Sequence, residues 1–134
     1  MESTVLSVHA LNQVIRAIRI AKPAGGSFLC SQAFMLQLNL GDGRWDGRPL
    51  SVSSSPARPY LEFTVRKSNS DWKSAFWRLA VGDVVRLRGP GPRIIFDESR
   101  PAVFISGGVG VTPFKCMLEV ASELQLAGPH TLCK

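Results

Sequence analysis

The sequence predicts a mainly β fold, in which a six-stranded antiparallel barrel with a short capping helix is followed by the first βα unit of an α/β domain. Three observations support this prediction. Short stretches of alternating apolar and polar residues, separated by turn signals, recur through residues 1–99. One short amphipathic segment rich in aromatic residues interrupts them. Beyond residue 100, a continuous apolar run leads into a glycine-rich turn and then a helical repeat.

The six predicted strands share an alternation that is typical of sheets with one buried face. They cover residues 5–10, 14–20, 34–40, 49–53, 61–67 and 84–88. Turn signals such as those at residues 23–26 and 41–43 separate them. This number of short strands is typical of a small antiparallel barrel or sandwich.

The segment after the fifth strand predicts a helix over residues 72–79, with Ser70 or Asp71 as its N-cap. Trp72, Phe76 and Leu79 would share one face of this helix. We expect Phe76 and Leu79 to plug one end of the barrel.

The last part of the chain predicts one strand–turn–helix unit. Residues 102–105 form an apolar run that is typical of a strand buried on both faces. After the glycine-rich turn, Thr112 suits an N-cap and Pro113 the first helical position. The helical repeat continues to Leu124, a Gly-Pro pair at residues 128–129 ends it, and residues 130–134 predict the start of a second strand. We therefore expect a barrel over residues 1–99 and the truncated start of an α/β domain over residues 100–134.

Composition narrows the class of protein. The net charge is +6, and residues 58–93 hold eight basic residues against three acidic ones. This excess suits phosphates or an acidic partner, and no recognised nucleic-acid motif accompanies it. The apolar runs are too short to span a bilayer, and the N-terminus lacks a signal-peptide pattern, which favours the cytoplasm. The three cysteines are widely spaced without a CxxC pair, which argues against a disulfide framework, a zinc site or an iron–sulfur cluster.

Three segments carry residue types suited to binding phosphates and rings. The first includes Arg48, Pro49, Leu50 and Ser51, and combines a planar guanidinium with nearby hydroxyl groups. The second joins a basic strand to a helix start, where free amides and the helix dipole favour an anion, although a capped helix beside a charged strand explains it equally well. Its residues are Val65, Arg66, Lys67, Lys73 and Ser74.

The third segment is a glycine-rich turn between a buried strand and a helix. Its glycines would let the backbone approach a pyrophosphate, and the flanking elements match a dinucleotide-binding loop better than an ordinary tight turn. The residues concerned are Gly107, Gly108, Gly110, Thr112 and Pro113.

In order and spacing, these segments resemble the ferredoxin–NAD(P)+ reductase family of flavoproteins. The family pattern has an Arg-x-Tyr-Ser-x-x-Ser strand, a basic strand with a Ser/Thr-bearing helix start, a Gly-Pro-x-Gly-x-Phe hairpin and a Gly-Gly-x-Gly-x-Thr-Pro turn. Residues 28–32 are also similar to the family's loop that ends in Pro-Gly-Gln. This chain departs from the pattern at three positions: Leu50 replaces an aromatic residue, and Ser31 and Ile94 replace glycines.

The resemblance implies roles for the residues of these segments. Arg48 would hold the flavin phosphate, with Pro49 beside it and Leu50 against the ring. Residues 65–67, Lys73 and Ser74 would line the pyrophosphate and adenine end. The glycine turn, continuing into Pro113, would approach the nicotinamide cofactor. Ser51 and Thr112 would act at the reactive edge, as the catalytic positions of the site.

The resemblance also implies an activity. The chain would be a flavoprotein oxidoreductase that passes electrons from NAD(P)H through bound FAD, or FMN, to an acidic protein such as ferredoxin or flavodoxin or to another redox acceptor. Because only one βα unit follows the barrel, this activity would be impaired, and the unfinished unit would favour self-association. One alternative is a non-catalytic flavin-binding or regulatory module. A plain interaction barrel without flavin is a further alternative. No metal site is expected.

Overall fold

The computed structural model describes residues 1–133, and its largest element is a six-stranded antiparallel sheet. The strands are β1 (Glu2–Ala10), β2 (Ile15–Ala21), β3 (Ala33–Asn39), β4 (Trp45–Ser51), β5 (Tyr60–Arg66) and β6 (Val84–Arg88). Their order in the sheet is β4-β3-β6-β1-β2-β5. The two edge strands meet just after β4, where the Ser53 amide donates to the Glu62 carbonyl oxygen at 2.9 Å. The sheet thus closes into a barrel, and the predicted mainly β fold is confirmed.

The barrel interior is filled by the apolar residues that alternate along these strands. The fully buried side chains include Ile18, Ile20, Leu36, Leu38, Phe63 and Leu87. Helix α1 (Asp71–Arg78) adds Trp72 and Phe76, whose stacked rings lie 5.6 Å apart. Phe76 and Leu79 belong to the barrel core, as expected. The hydroxyl of Ser70 accepts a hydrogen bond from the Lys73 amide, which makes Ser70 rather than Asp71 the N-cap.

A smaller unit follows the barrel. Strand β7 (Val103–Ile105) leads through a 3-10 turn (Gly108–Val111) into helix α2 (Thr112–Glu123), and β8 (Thr131–Cys133) then pairs with β7 in parallel. The predicted second strand therefore forms, and Lys134 lies outside the described residues. A separate apolar cluster around Phe104, Met117 and Val120 holds the unit together. Within residues 1–133, neither helix is long and apolar enough to cross a membrane.

The structure corrects several predicted boundaries. Strand β4 begins at Trp45 rather than at residue 49, because pairing with β3 continues until Asn39 meets Trp45. It ends at Ser51, since Ser53 turns to bond β5. Thr112 is the first residue of α2 and not its N-cap, because the 3-10 turn runs directly into the helix.

The end of α2 and the environment of β7 also differ from expectation. The helix ends at Glu123, before Leu124, and Gln125 adopts a left-handed conformation with φ of 51°. Strand β7 is covered on one face only: Phe104 is buried, whereas the side chains of Val103 and Ile105 are 66% and 78% exposed. A sheet of two strands with one helix has nothing to cover the second face.

Helix α2 is fastened to the barrel by the buried carboxylate of Glu62 on β5. Its Oε2 accepts a bond from Arg19 Nε on β2 at 2.9 Å, and its Oε1 accepts one from Lys115 Nζ on α2 at 2.9 Å. The hydroxyl of Ser53 donates to Oε1 at 2.8 Å. Burial raises the pKa of Glu62, but the hydrogen bonds from Lys115, Arg19 and Ser53 outweigh burial and hold this pKa below its ordinary value.

A second set of polar contacts extends the same junction. The Ser55 amide donates to Glu119 Oε2 at 2.8 Å, and the Ser55 hydroxyl donates to Glu123 Oε2 at 2.5 Å. Lys115 Nζ also lies 2.9 Å from Glu119 Oε1. Together with Glu62 and its partners, we call these contacts the polar clasp. Because its carboxylates and cations are paired, the clasp stabilises the docking of α2 without leaving a buried charge alone.

The clasp predicts a pH-dependent loss of stability in Glu62→Gln. At pH 7 the free energy of unfolding of this variant should be about 2 kcal/mol lower than that of the parent chain, because the hydrogen bonds to a buried charge are lost. A carboxyl whose pKa is lowered by folding stabilises the folded state at pH values above its unfolded pKa of about 4.3. This stabilisation is lost as the pH falls below that value. The difference should therefore shrink below that pH in urea titrations. Glu98→Gln, which alters an exposed carboxylate, is the control, and a pH-independent difference would contradict the prediction.

Candidate functional site

A cavity of about 240 Å³ lies where β4, β5 and the start of α1 meet. The predicted site residues that line it are Arg48, Pro49, Leu50, Val65, Arg66 and Lys73. Thr64, Ser70, Trp72 and Val109 complete the lining. The cavity thus combines residues from the first two predicted segments, which are separate in the sequence, with one residue of the glycine-rich turn.

The electrostatics of this cavity favour an anion. Arg48 is exposed on β4, Arg66 ends β5 and Lys73 lies in the first turn of α1. The amides at the start of a helix and its dipole add positive potential there. Three cations and a helix start around an apolar wall form a suitable environment for a phosphate attached to a ring system.

In the described structure, the Arg48 guanidinium is paired within its own strand. Its Nη1 lies 2.9 Å from Asp46 Oδ2 and 2.7 Å from the Gly47 carbonyl oxygen. The side chains of Arg48 and Asp46 are 49% and 39% exposed, and exposed pairs of this kind contribute little to stability. Arg48 can therefore exchange this partner for a phosphate at small cost.

Trp72 is a lining residue that the sequence analysis assigned only to an apolar helix face. Its side chain is buried, yet its Nε1 has no hydrogen-bond partner among the described residues. A buried donor without a partner is costly, and such groups mark strain or a missing ligand. Trp72 also lines an adjoining cavity of about 380 Å³ together with Arg48. A tryptophan beside Lys73 in the first turn of a predicted helix was the signal available in the sequence.

The glycine-rich turn is open toward solvent. A Cβ added at Gly107, Gly108 or Gly110 would meet no atom within 4 Å. Gly108 has φ of +55°, a conformation that favours glycine, whereas Gly107 has an ordinary φ of −126°. Internal packing therefore does not explain the glycines at 107 and 110, and their absent side chains leave the backbone accessible to a ligand.

The remaining predicted site residues do not line the cavity. They are Ser51, Lys67, Ser74, Gly107, Gly108, Gly110, Thr112 and Pro113. Ser51 and Thr112, the predicted catalytic positions, are half-buried at the end of β4 and the start of α2. Lys67 Nζ lies 5.9 Å from the centre of the Trp77 ring.

Ser74 and Pro113 are held by their own helices. Ser74 is half-buried in α1, where its amide donates to the Ser70 carbonyl oxygen, and Pro113 is buried in the first turn of α2.

The serines that follow Ser51 serve the polar clasp. The sequence suggested that hydroxyls in this stretch bind a ring edge, but Ser53, Ser54 and Ser55 are buried and bond elsewhere. The Ser53 hydroxyl donates to Glu62 and that of Ser55 to Glu123, while Ser54 donates to the Tyr60 carbonyl oxygen. These hydroxyls close the barrel and dock α2 instead.

Two of the departures from the family pattern contact each other. Ser31 has φ of 63°, in the left-handed region that favours the glycine of the pattern. Its hydroxyl donates to the Ile94 carbonyl oxygen at 2.6 Å. This bond connects the loop before β3 to residues 91–96, the part of the chain that matches the family's Gly-Pro-x-Gly-x-Phe hairpin except at Ile94.

Other parts of the described structure are less suited to the predicted chemistry. A cavity of about 490 Å³, which includes Asn39, Gly41, Arg78 and Asp83, contains none of the predicted site residues. Within residues 1–133, no cluster of three His, Cys, Asp or Glu side chains could hold a metal ion.

Comparison with known sequences gives consistent relatives. No protein-family model matches the chain. It is 30% identical over 125 residues to a flavohemoprotein of Bacillus cereus, which covers 84% of this chain and 31% of that protein. It is 28% identical over 120 residues to a flavohemoprotein of Deinococcus radiodurans, with 84% and 30% of the two chains covered. The chain thus spans about a third of the length of the curated relatives it matches.

Solved structures share the fold. A ferredoxin NADP+ reductase from Neisseria gonorrhoeae with bound FAD and NADP aligns with a TM-score of 0.81 and 21% identity, over 98% of this chain and 55% of that one. A flavohemoglobin from Malassezia yamatoensis with bound FAD and heme aligns with a TM-score of 0.81 and 15% identity, over 98% and 36% of the chains. The fold described above is therefore shared with these two proteins.

The backbone of the glycine turn predicts different effects of alanine at neighbouring positions. Gly108→Ala should lower the free energy of unfolding by about 1 kcal/mol, because alanine is strained at a positive φ. Gly107→Ala should change it by less than about 0.5 kcal/mol, since both φ and the surrounding space permit a Cβ. Urea denaturation of the two variants checks this, and equal effects would contradict the backbone assignment.

Proposed function

Because the chain belongs to the ferredoxin–NAD(P)+ reductase-type flavoprotein family, we propose that it holds FAD at the cavity between β4, β5 and α1 and forms the flavin-holding part of an NAD(P)H-dependent oxidoreductase. The observation that carries this proposal is the convergence of Arg48, Arg66 and Lys73 with apolar walls and the unpartnered Trp72 donor. These residue types fit a ligand that joins a phosphate to an aromatic ring.

Different residues of the cavity are proposed to bind different parts of the flavin nucleotide. Arg48, Arg66 and Lys73 neutralise the phosphates, and Trp72 Nε1 donates a hydrogen bond that the protein itself leaves unused. Leu50 supplies apolar cover in place of a stacking ring. The cavity is smaller than the roughly 300–1,000 Å³ typical of ligand pockets, so it holds only part of the nucleotide. When bound, a flavin supplies hydride and electron transfer, and the protein orients and tunes it.

The glycine turn is the proposed place for the pyrophosphate of NAD(P)H. The open backbone at Gly107 and Gly110 and the helix start at Thr112 and Pro113 support this assignment. Val109 connects the two sites, because it belongs to the turn and lines the flavin cavity. Ser51 and Thr112 are proposed to face the reactive end, where a half-buried hydroxyl can hold or donate a proton.

The basic stretch of residues 58–93 is the proposed surface for an electron acceptor. Arg58 is paired with Glu123 on α2, and Arg86 is paired with Glu2 on β1. The exposed cations that remain in this segment include Lys67, Arg78, Arg88 and Arg93. They support an acidic acceptor such as ferredoxin or flavodoxin, or a redox domain of the whole protein.

Several other expectations stay predictions. They are the domain boundary at residues 99 and 100, the choice of FAD over FMN, self-association through the uncovered face of β7, and a cytoplasmic location.

A non-catalytic flavin-binding or regulatory module is the second candidate. The cavity favours it, because its lining comes almost entirely from β4, β5 and the start of α1, and only Val109 comes from the glycine turn. Such a module would bind flavin without reducing it.

The proposed flavin site predicts selective losses of affinity. Lys73→Ala and Arg48→Ala should each weaken FAD binding on the order of tenfold, because each removes a charged contact to phosphate. Trp72→Phe, which keeps an aromatic ring and removes the donor, should weaken it roughly fivefold. Flavin fluorescence quenching, run in parallel with FAD and FMN, measures the affinities and selects between the two cofactors.

The matched control for these titrations is Arg100→Ala. Arg100 is an exposed arginine paired with Asp97 outside the cavity, so its loss should leave the affinity unchanged. Thermal unfolding of every variant separates lost binding from lost folding. Equal weakening by Arg100→Ala, or no flavin binding by the parent chain, would reject the site.

Anaerobic mixing with NADPH separates the two candidate functions. In the chain loaded with FAD, we expect NADPH to lower the flavin absorbance, because the open backbone of the glycine turn offers a place for its pyrophosphate. Measurable bleaching that saturates with NADPH and weakens in Gly107→Val supports the oxidoreductase. A flavin spectrum that NADPH never changes supports the non-catalytic module.

A further inference from the structure

Two cysteines that are far apart in the sequence meet between the barrel and α2. Cys30 lies in the loop between β2 and β3, and Cys116 lies in the second turn of α2, 86 residues later. Their Sγ atoms are 3.0 Å apart. Both side chains are buried, with exposures of 8% and 0%. The third cysteine, Cys133, is exposed in β8 and is not part of this pair.

The surroundings of the pair give the two thiols different roles. Cys116 Sγ accepts hydrogen bonds from the Cys30 thiol and, at 3.4 Å, from the Ser31 amide. The bond from Cys30 lowers the pKa of Cys116 despite burial, and the Ser31 amide adds to this effect. The same shared bond and burial raise the pKa of Cys30. Cys116 is therefore the thiol that ionises, and Cys30 keeps the proton until a later step.

We propose that Cys30 and Cys116 form a reversible disulfide when the protein meets a hydroperoxide, and that this bond locks α2 to the barrel. This site is independent of the proposed flavin function, because it needs neither flavin nor NAD(P)H. A thiolate beside a neighbouring thiol is the pairing from which a disulfide forms. Both sulfurs are buried, so the peroxide reaches Cys116 when α2 opens locally from the barrel.

The oxidation balances with hydrogen peroxide as the oxidant. The Cys116 thiolate attacks one peroxide oxygen, the O–O bond breaks, and the leaving hydroxide takes a proton to become water. Cys116 is then a sulfenic acid. The Cys30 sulfur attacks the Cys116 sulfur and gives up its proton, the S–O bond breaks, and a second water leaves. Two thiols have lost two electrons and two protons, and one peroxide has become two waters.

The position of the bond determines its effect. Cys30 belongs to the same apolar cluster as Phe104 and Met117, although it comes from the barrel side of the chain. The disulfide would close a loop that contains most of the barrel, and loops of this length lose much unfolded-state entropy. Oxidation should therefore strengthen the junction that the polar clasp already forms.

The experiment uses the full chain carrying Cys133→Ser, which removes the exposed thiol and leaves the pair intact. The protein is treated with hydrogen peroxide, alkylated under denaturing conditions and digested with trypsin. We expect the peptide of residues 20–44 linked to that of residues 116–134, with loss of two hydrogens and reversal by dithiothreitol. The midpoint of thermal unfolding should rise on the order of 10 °C and return on reduction.

Two further variants separate a disulfide from simple oxidation. In Cys30→Ser/Cys133→Ser, peroxide should leave a sulfenic acid on Cys116 that dimedone captures, and the unfolding midpoint should not rise. In Cys116→Ser/Cys133→Ser, Cys30 should react at least tenfold more slowly, since burial still raises the pKa of its thiol after the contact with Cys116 is lost. Recovery of both thiols in alkylated form, or oxidation of Cys116 without the linked peptide in the Cys133→Ser chain, would overturn the proposal. Either result would leave the flavin titrations unaffected.

Discussion

The carboxylate of Glu62 is buried, charged and shared by three parts of the chain. It accepts hydrogen bonds from Arg19 on β2, from Ser53 after β4 and from Lys115 on α2. A buried carboxylate is tolerated only when it is paired, so these elements must assemble together around it. One side chain therefore helps to close the barrel and fixes the unit that follows it. The positions of the cavity and of the glycine turn both depend on this contact.

Strand β5 carries the junction and most of its contribution to the cavity wall on one face, and Val65 adds to that wall from the core side. Side chains alternate along a strand, so Glu62, Thr64 and Arg66 point to the side opposite the barrel core. Glu62 binds α2, while Thr64 and Arg66 line the cavity with Val109 from the turn before α2. The proposed flavin site and the proposed nucleotide turn are thus held in register by alternate residues of one strand. The cysteine pair is a second contact between the same two units.

Local patterns in the sequence were sufficient to predict that the barrel strands, α1 and the strand–turn–helix order beyond residue 100 exist. Alternation and capping act over a few residues, so they can be read locally. They were insufficient where distant parts meet. The start of β4 at Trp45 is set by pairing with β3. The burial of Glu62 depends on Lys115, 53 residues later. Six of the lining residues followed from the resemblance, whereas Thr64, Ser70, Trp72 and Val109 were missed. Trp72 was missed because an aromatic residue on an apolar helix face usually indicates core.

The alternation along β5 also limits how the length of this chain can vary. A single residue inserted or deleted within β5 would exchange its two faces beyond that point. The carboxylate of Glu62 or the rim residue Arg66 would then turn into the barrel, and Phe63 or Val65 would turn out of it. An exposed turn such as residues 41–44 can absorb a change in length, since its side chains do not pack in the core. Among related chains, insertions and deletions should therefore be confined to the loops and spare the strand from Tyr60 to Arg66.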